Sequence, residues 1–414
     1  MKNKNVNLKI GEVNEAGSLA FRILLIIIWL QETVLMFMSE FIENLPIIGW
    51  SSNYFTPCLL IIASVLSIPM FLRRVKYKDI LFYLICVGVV FFTIAFYEKN
   101  SFYVKEQAIR ILLSSVPLYF IGLSFSYESS KKDLLVASIL GVLAMFAYQF
   151  YRLLLGRELL ADSMGSSYAV LPSTLYLIYY AFDQKKFIYW LLAVPGIILA
   201  FVLGTRGPIL CIAVYILAEF IIRSLRKGIM RVAILTLILI IGGALLLIAG
   251  DSLISFIRWV GELFESIGFS TRIFDMFLEG DIAHSNGRDV ISENIINAIW
   301  ERPFWGYGFM GDRVITDTYA HNIALELWCS YGIIAGTALL VTIIAIPLKA
   351  LIVSKDQPIF HMILIFTCMM LVKLMLSGSY PVEPYFFMML GLSIGAIRSA
   401  KAEAKVKPSE LNEQ

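Results

Sequence analysis

Runs of apolar residues, separated by short polar connections, recur along almost the whole chain. A helix that crosses a bilayer needs about 20 mostly apolar residues. On that basis the pattern predicts about twelve spans, near 20–38, 54–72, 80–97, 108–125, 133–155, 168–182, 187–204, 207–222, 232–250, 322–348, 358–376 and 384–398. One long connection breaks the rhythm, residues 251–320. Within it Val290, Ile291, Ile295, Ile296, Ile299 and Trp300 recur at helical spacing, with Ser285 or Asn286 available as N-cap. That pattern predicts an amphipathic helix lying on the membrane or covering a cavity. Pro303, Gly306, Gly308 and Gly311 then form a turn-rich stretch leading back into the membrane. The division expected is nine spans over 1–250, the loop over 251–320, three spans over 321–398 and a solvated tail over 399–414. The polar N-terminus lacks a short h-region with a small-residue cleavage site, so the first helix reads as retained.

Composition agrees with the pattern. Of 414 residues, 59% are apolar and 16% charged, against about 45–50% and about 25% in soluble domains. This is an all-α polytopic membrane protein. Disorder and a secreted disulfide scaffold are excluded, and a formal charge of +3, with basic residues dispersed, excludes a nucleic-acid binder. Cys58, Cys86, Cys211, Cys329 and Cys368 all fall in predicted spans without metal-ligand spacing and read as packing residues. No cofactor is implied. An Asp-x-Asp nucleotide-sugar motif and a P-loop are both missing.

Orientation follows from Lys and Arg in the connections. With twelve spans, most of the 34 basic residues collect on one side, including Lys2, Lys4, Arg73, Arg74, Lys131, Lys185, Arg226, Lys349 and Lys401. Both termini are therefore expected in the cytoplasm and the long loop outside. The cations left on the other side carry the chemistry. Arg258, Arg272, Arg288, Arg302 and Arg313 lie in the loop, which has no lysine. An arginine stays charged and presents a planar fork of donors matched to phosphate or carboxylate. Pairing with the loop's own acids is favoured for Arg258, Arg272 and Arg313.

Arg206 stands in Gly204-Thr205-Arg206-Gly207-Pro208, a short reversal between the seventh and eighth spans with no acid nearby in sequence. An ionisable group at membrane depth is costly and points to function. Arg110, Arg152 and Lys373 fall inside spans toward the outer end, where they either snorkel or line the same cavity. His361 reads as interfacial and His284 as without a role. His321, in Tyr319-Ala320-His321-Asn322, stands where the loop re-enters the membrane. With an ordinary pKa of about 6.5, it is a plausible general base.

Three segments together resemble the O-antigen polymerase and ligase superfamily of bacterial polysaccharide assembly. They are Gly204-Thr205-Arg206-Gly207, Asn286-Gly287-Arg288 opening the loop helix, and His321-Asn322 followed by Gly332, with Pro303-Phe304-Trp305-Gly306-Tyr307-Gly308 between the last two. The pattern departs at Ala335, where the family often carries Gly, Thr or Tyr.

The resemblance implies a helical membrane glycosyltransferase of the lipid-donor type (GT-C) on the outer face of the bacterial cytoplasmic membrane. Its donor would be a polyprenyl-diphosphate-linked oligosaccharide and its acceptor a second glycan. Arg206 and Arg288 would clamp the diphosphate, and His321 would deprotonate the acceptor hydroxyl, without metal and with inversion. Arg110, Arg152, Lys373, Arg302 and Asn322 are further candidates for contacting diphosphate or lipid. A polymerase of O-antigen or capsule repeat units, served by a flippase and a chain-length regulator, is the favoured reading. A ligase acting on lipid A–core is the alternative within the family, and a transporter or flippase of lipid-linked glycans the alternative from another class.

Overall fold

The computed structural model describes residues 15–31, 33, 34, 65, 74–154, 164–203, 206–226, 228, 250–266, 278 and 287–411. Among them the regular elements are all helical. In chain order they are α1 (Glu15–Leu30), α2 (Tyr77–Phe96), α3 (Glu98–Ile109), α4 (Leu118–Ser124), α5 (Tyr127–Leu154), α6 (Met164–Gln184), α7 (Phe187–Val202) and α8 (Arg206–Arg226). There follow α9 (Gly250–Ser266), α10 (Arg288–Glu301), α11 (Gly311–Thr316), α12 (Ile323–Val353), α13 (Ile359–Leu376) and α14 (Pro384–Leu411). A π-helical segment, Arg110–Ser115, joins α3 to α4.

Among the described residues, six helices are long and apolar enough to cross a membrane: α2, the run from α3 through α4, α5, α8, α12 and α13. Helices α1 and α7 contain shorter apolar stretches. All but residue 65 of the predicted span near 54–72 and residue 250 of that near 232–250 lie outside the described residues, as do His284 and Arg272.

The interior is built on α6 and α13, and small residues let their neighbours close on them. Helix α6 buries Ser166, Ser167, Ser173 and Thr174. Gly141 of α5 lies against Ser173, and Gly196 of α7 against Thr174. Helix α14 packs along α4 backbone to backbone, because a methyl at Gly122 or Gly391 would strike main-chain atoms of the other helix. Close approach through small residues is the usual basis of helix association where water provides no driving force. Away from the site, Arg398 of α14 grips the buried Asp79 of α2 with two 2.7 Å bonds, joined by the Tyr119 hydroxyl at 2.7 Å.

One expectation is corrected here. The segment 322–348 is not one unbroken span. The backbone of α12 leaves helical geometry at Gly332, with φ 78° and ψ 168°. Trp328 Nε1 donates to Thr337 Oγ1 at 3.0 Å although they are nine residues apart, a separation of about 13 Å along a straight helix. The limb Ile323–Tyr331 is therefore folded sharply over the span that begins at Ile333. A side chain at Gly332 would meet the carbonyls of Pro303 and Phe304, so only glycine fits both the left-handed φ and the space.

His361 stands at the start of the span α13, as the sequence suggests, and has partners the sequence did not show. Its Nδ1 lies 3.1 Å from Glu219 Oε2, its ring stacks on Tyr179, and Arg223 completes the cluster at 2.6 Å from Glu219.

The loop folds on the limb. Ile295, Ile299, Ala320 and Cys329 form a small core shared by α10, the approach to His321 and the limb. Helix α10 starts where the pattern predicts, but its N-cap is Gly287 at φ 82°, not Ser285 or Asn286. Its inward stripe is Ile291, Ile295, Ala298 and Ile299, whereas Val290, Ile296 and Trp300 face outward. Asn100 of α3 fastens the glycine-rich passage by donating to the carbonyls of Tyr307 (3.0 Å) and Phe309 (2.9 Å).

Candidate active site

The turn from α13 into α14, residues 376–383, gathers side chains from across the chain. Arg288, the first residue of α10, donates through Nη1 to the Leu376 carbonyl at 2.6 Å. The Tyr319 hydroxyl donates to the Ser377 carbonyl at 3.0 Å, and the Ser377 hydroxyl meets the Tyr168 hydroxyl at 2.6 Å. Lys373 pairs with Glu383 at 2.7 Å and lies 4.6 Å from the centre of the Tyr168 ring. Arg110 reaches the same turn from the π-helical segment, donating to the Val382 carbonyl at 3.1 Å.

Arg206 is half-buried at the start of α8. Its neighbour Gly207 presses against the Tyr168 hydroxyl so closely that a methyl there would collide with it. The glycine thus brings the head of α8 against the tyrosine that bonds Ser377. Gly204 and Thr205 lie outside the described residues.

His321 is held in a conformation that side-chain-bearing residues seldom adopt, φ +54°. Such strain persists where the surroundings over-determine it, and three contacts do so here. The Ala320 amide donates to Asp312 Oδ2 at 2.9 Å. The Asn322 side chain caps α12 by accepting from the amides of Ala324 and Leu325. The Tyr319 ring packs on the imidazole with centroids 4.0 Å apart. Nδ1 of His321 is buried and has no hydrogen-bond partner among the described residues. Burial, with the Arg288 charge as second cause, pushes its pKa down to about 4. At neutral pH the imidazole is therefore uncharged and able to accept a proton. Burial also raises the Tyr319 pKa, against the opposing charges of Arg288, Lys373 and Arg313. Three cations thus act on one hydroxyl beside the histidine.

A buried ionic cluster supports this arrangement. Arg313 lies 3.0 Å from Asp312 and 3.4 Å from Glu326, and donates to Ser379 Oγ at 2.6 Å. Ser379 in turn donates to Glu326 at 2.5 Å, and the Tyr380 amide to Glu326 at 3.2 Å. Asp312 fixes the residue before His321 while Glu326 fixes the turn bearing Ser377. Burial raises the Asp312 pKa.

Of the residues singled out in the sequence, Arg288, Lys373 and Arg110 bear on this one turn, His321 is linked to it through Tyr319, and Gly207, next to Arg206, through Tyr168. Arg313 pairs with acids, as expected. Arg152 donates to Tyr148 one helical turn away (3.4 Å), and the exposed Arg302 lies over the Tyr307 ring at 4.8 Å. Neither contact joins the turn. Asn322 spends its side-chain oxygen on the cap. Sequence reasoning missed Tyr168, Ser377, Glu326 and Glu383 and gave Tyr319 no role. The sole available signal was the position of Tyr319 two residues before the histidine.

The fold is that of a multi-pass helical membrane protein. The O-antigen ligase family matches residues 188–340, a segment that includes Arg206, Arg288 and His321. Over this segment, rather more than a third of the chain, the protein is similar to that family. No curated protein matches the chain.

Proposed function

We infer that the chain transfers a glycan from a polyprenyl diphosphate to a second lipid-linked repeat unit, as a polysaccharide polymerase at the outer face of the cytoplasmic membrane. The architecture is that of a lipid-donor (GT-C) enzyme with about twelve spans and both termini in the cytoplasm. One observation carries this reading: a strained, uncharged imidazole under the influence of Arg288, beside a turn on which further cations converge.

The acceptor hydroxyl attacks the anomeric carbon as the bond from that carbon to the diphosphate oxygen breaks. The hydroxyl proton passes to His321, and the lipid diphosphate leaves with the bonding pair. One displacement, without metal, inverts the anomeric centre. Arg206 and Arg288 oppose the charge that grows on the leaving diphosphate, which fixed donors in a water-poor site do best. Lys373 and Arg110 stand near enough to the turn to extend the anion site. Arg152, Arg302 and Asn322 remain candidates for contacting diphosphate or lipid away from the turn.

The description of the matched family, O-antigen ligase, favours a second acceptor, lipid A–core. Product size separates the two. Purified protein in nanodiscs, supplied with lipid-linked repeats alone, yields a ladder if it is a polymerase. Transfer that occurs only when lipid A–core is added makes it a ligase. Movement of intact donor across a liposome membrane without lengthening identifies a flippase and refutes the enzyme reading.

A further inference from the structure

The break at Gly332 fixes a depth. From Ile333 to Val353 the chain rises about 31 Å at about 1.5 Å per residue, close to the hydrocarbon thickness of about 30 Å. Gly332 therefore stands at the level where the bilayer meets water. The turn Pro303–Gly306 is bonded to that level: the Ile333 amide donates to the Pro303 carbonyl at 2.7 Å, and the Tyr307 amide to the Cys329 carbonyl at 2.8 Å. At this turn Trp305 is 89% exposed, Phe304 65% and Trp300, at the end of α10, 70%. They adjoin Ile334, 69% exposed, which begins the outward apolar face of the span continued by Val341, Leu348 and Ile352. Between the aromatics lie Glu301 and Arg302, both exposed and both touching Tyr307. Aromatic rings with polar tips and a flanking arginine are the usual occupants of the headgroup zone.

We propose that Trp300, Phe304 and Trp305 form an interfacial anchor that inserts into the bilayer surface and fixes the height of α10. The occupant of this patch is the lipid headgroup–acyl boundary. Continuity with the lipid-facing side of α12 argues for it. The consequence is geometric. Arg288 opens the helix whose other end is anchored, so the guanidinium is held at a set distance from the plane in which a lipid headgroup lies. The proposal is independent of the reaction assigned above.

The test uses the full chain with its five cysteines replaced, in nanodiscs of phosphatidylcholine and phosphatidylglycerol. Nitroxide labels are placed one at a time at Trp305→Cys and Trp300→Cys, with Asp317→Cys on the loop as the reference. The ratio of collisions with oxygen to collisions with a water-soluble nickel chelate reads depth. A several-fold higher ratio at 305 and 300 than at 317 is the expected result. Equal ratios at all three sites overturn the anchor, as does shielding of 305 and 300 by added soluble glycan in place of lipid. Both tryptophans are surface residues, so the two variants report separately even if one folds poorly.

Discussion

Arg288 and Leu376 are 88 residues apart, yet the guanidinium of the first bonds the carbonyl of the second at 2.6 Å. That bond ties the loop helix to the end of the central helix α13 and places a fixed positive charge where it acts on His321. A histidine beside an arginine is a poor place for a proton and a good place to put a phosphate. In the proposed reaction, the negative charge of a diphosphate arriving at Arg288 would offset its effect on the imidazole and make His321 a stronger base when the donor is bound.

The charge at position 288 sets part of the His321 pKa. In Arg288→Ala the pKa rises from about 4 toward the ordinary value of about 6.5, without reaching it, because burial is the larger cause. Protonated imidazole cannot accept a proton, so the acid limb of any remaining activity moves to higher pH. Nitrogen NMR of the three labelled histidines measures the shift directly. An unmoved His321 titration contradicts the assignment.

Tyr319→Phe keeps the ring that packs on His321 and removes the bond to the Ser377 carbonyl. A hydrogen bond of this kind contributes about 1 kcal/mol, so the protein stays folded. The turnover rate falls while donor affinity changes little, because the imidazole is less firmly aimed. Comparing kcat with KM distinguishes this outcome from a general loss of fold, in which the amount of active protein declines instead.

The buried ionic cluster predicts a ranking. Arg313→Leu leaves the carboxylates of Asp312 and Glu326 without their cation and is the most damaging change, costing about 3–5 kcal/mol. Asp312→Ala comes next, since it also frees the Ala320 amide. Asp312→Asn retains an acceptor for that amide and is the mildest. Thermal unfolding in detergent gives the order, and Arg313→Leu as stable as wild type contradicts it.

Gly332→Ala forces a methyl against two carbonyls in a left-handed backbone and costs about 1–3 kcal/mol. It loosens the join between the glycine-rich passage and α12. The expected signature is faster proteolysis within 303–311, with the transmembrane helices protected.

Much of the bundle was legible because apolar length is a strong signal. The predicted segments near 80–97, 187–204 and 358–376 fall on α2, α7 and α13 almost residue for residue. The break in α12 was not legible. Apolar residues continue across Gly332, and the φ that ends the helix is a property of the backbone.

Charge pairing divided in the same way. Arg313 pairs with an acid next to it in sequence, which composition alone suggests. Lys373 meets Glu383 across a turn, and His361 meets Glu219 between two helices. Pairs of that second kind depend on packing that no local pattern encodes. Arg206, Arg288 and His321 stood out because charged and titratable groups near apolar spans are conspicuous. Ser377 and Tyr168, which bond each other at the nearby turn, are ordinary residues until the fold brings them there.

The most direct measurement is a single-turnover transfer assay on His321→Ala in nanodiscs, with donor binding followed separately. A positioned base contributes about 10²–10⁴-fold to such a step. The account predicts that the variant binds the polyprenyl-diphosphate donor and loses transfer by that factor. Transfer at the wild-type rate would contradict it.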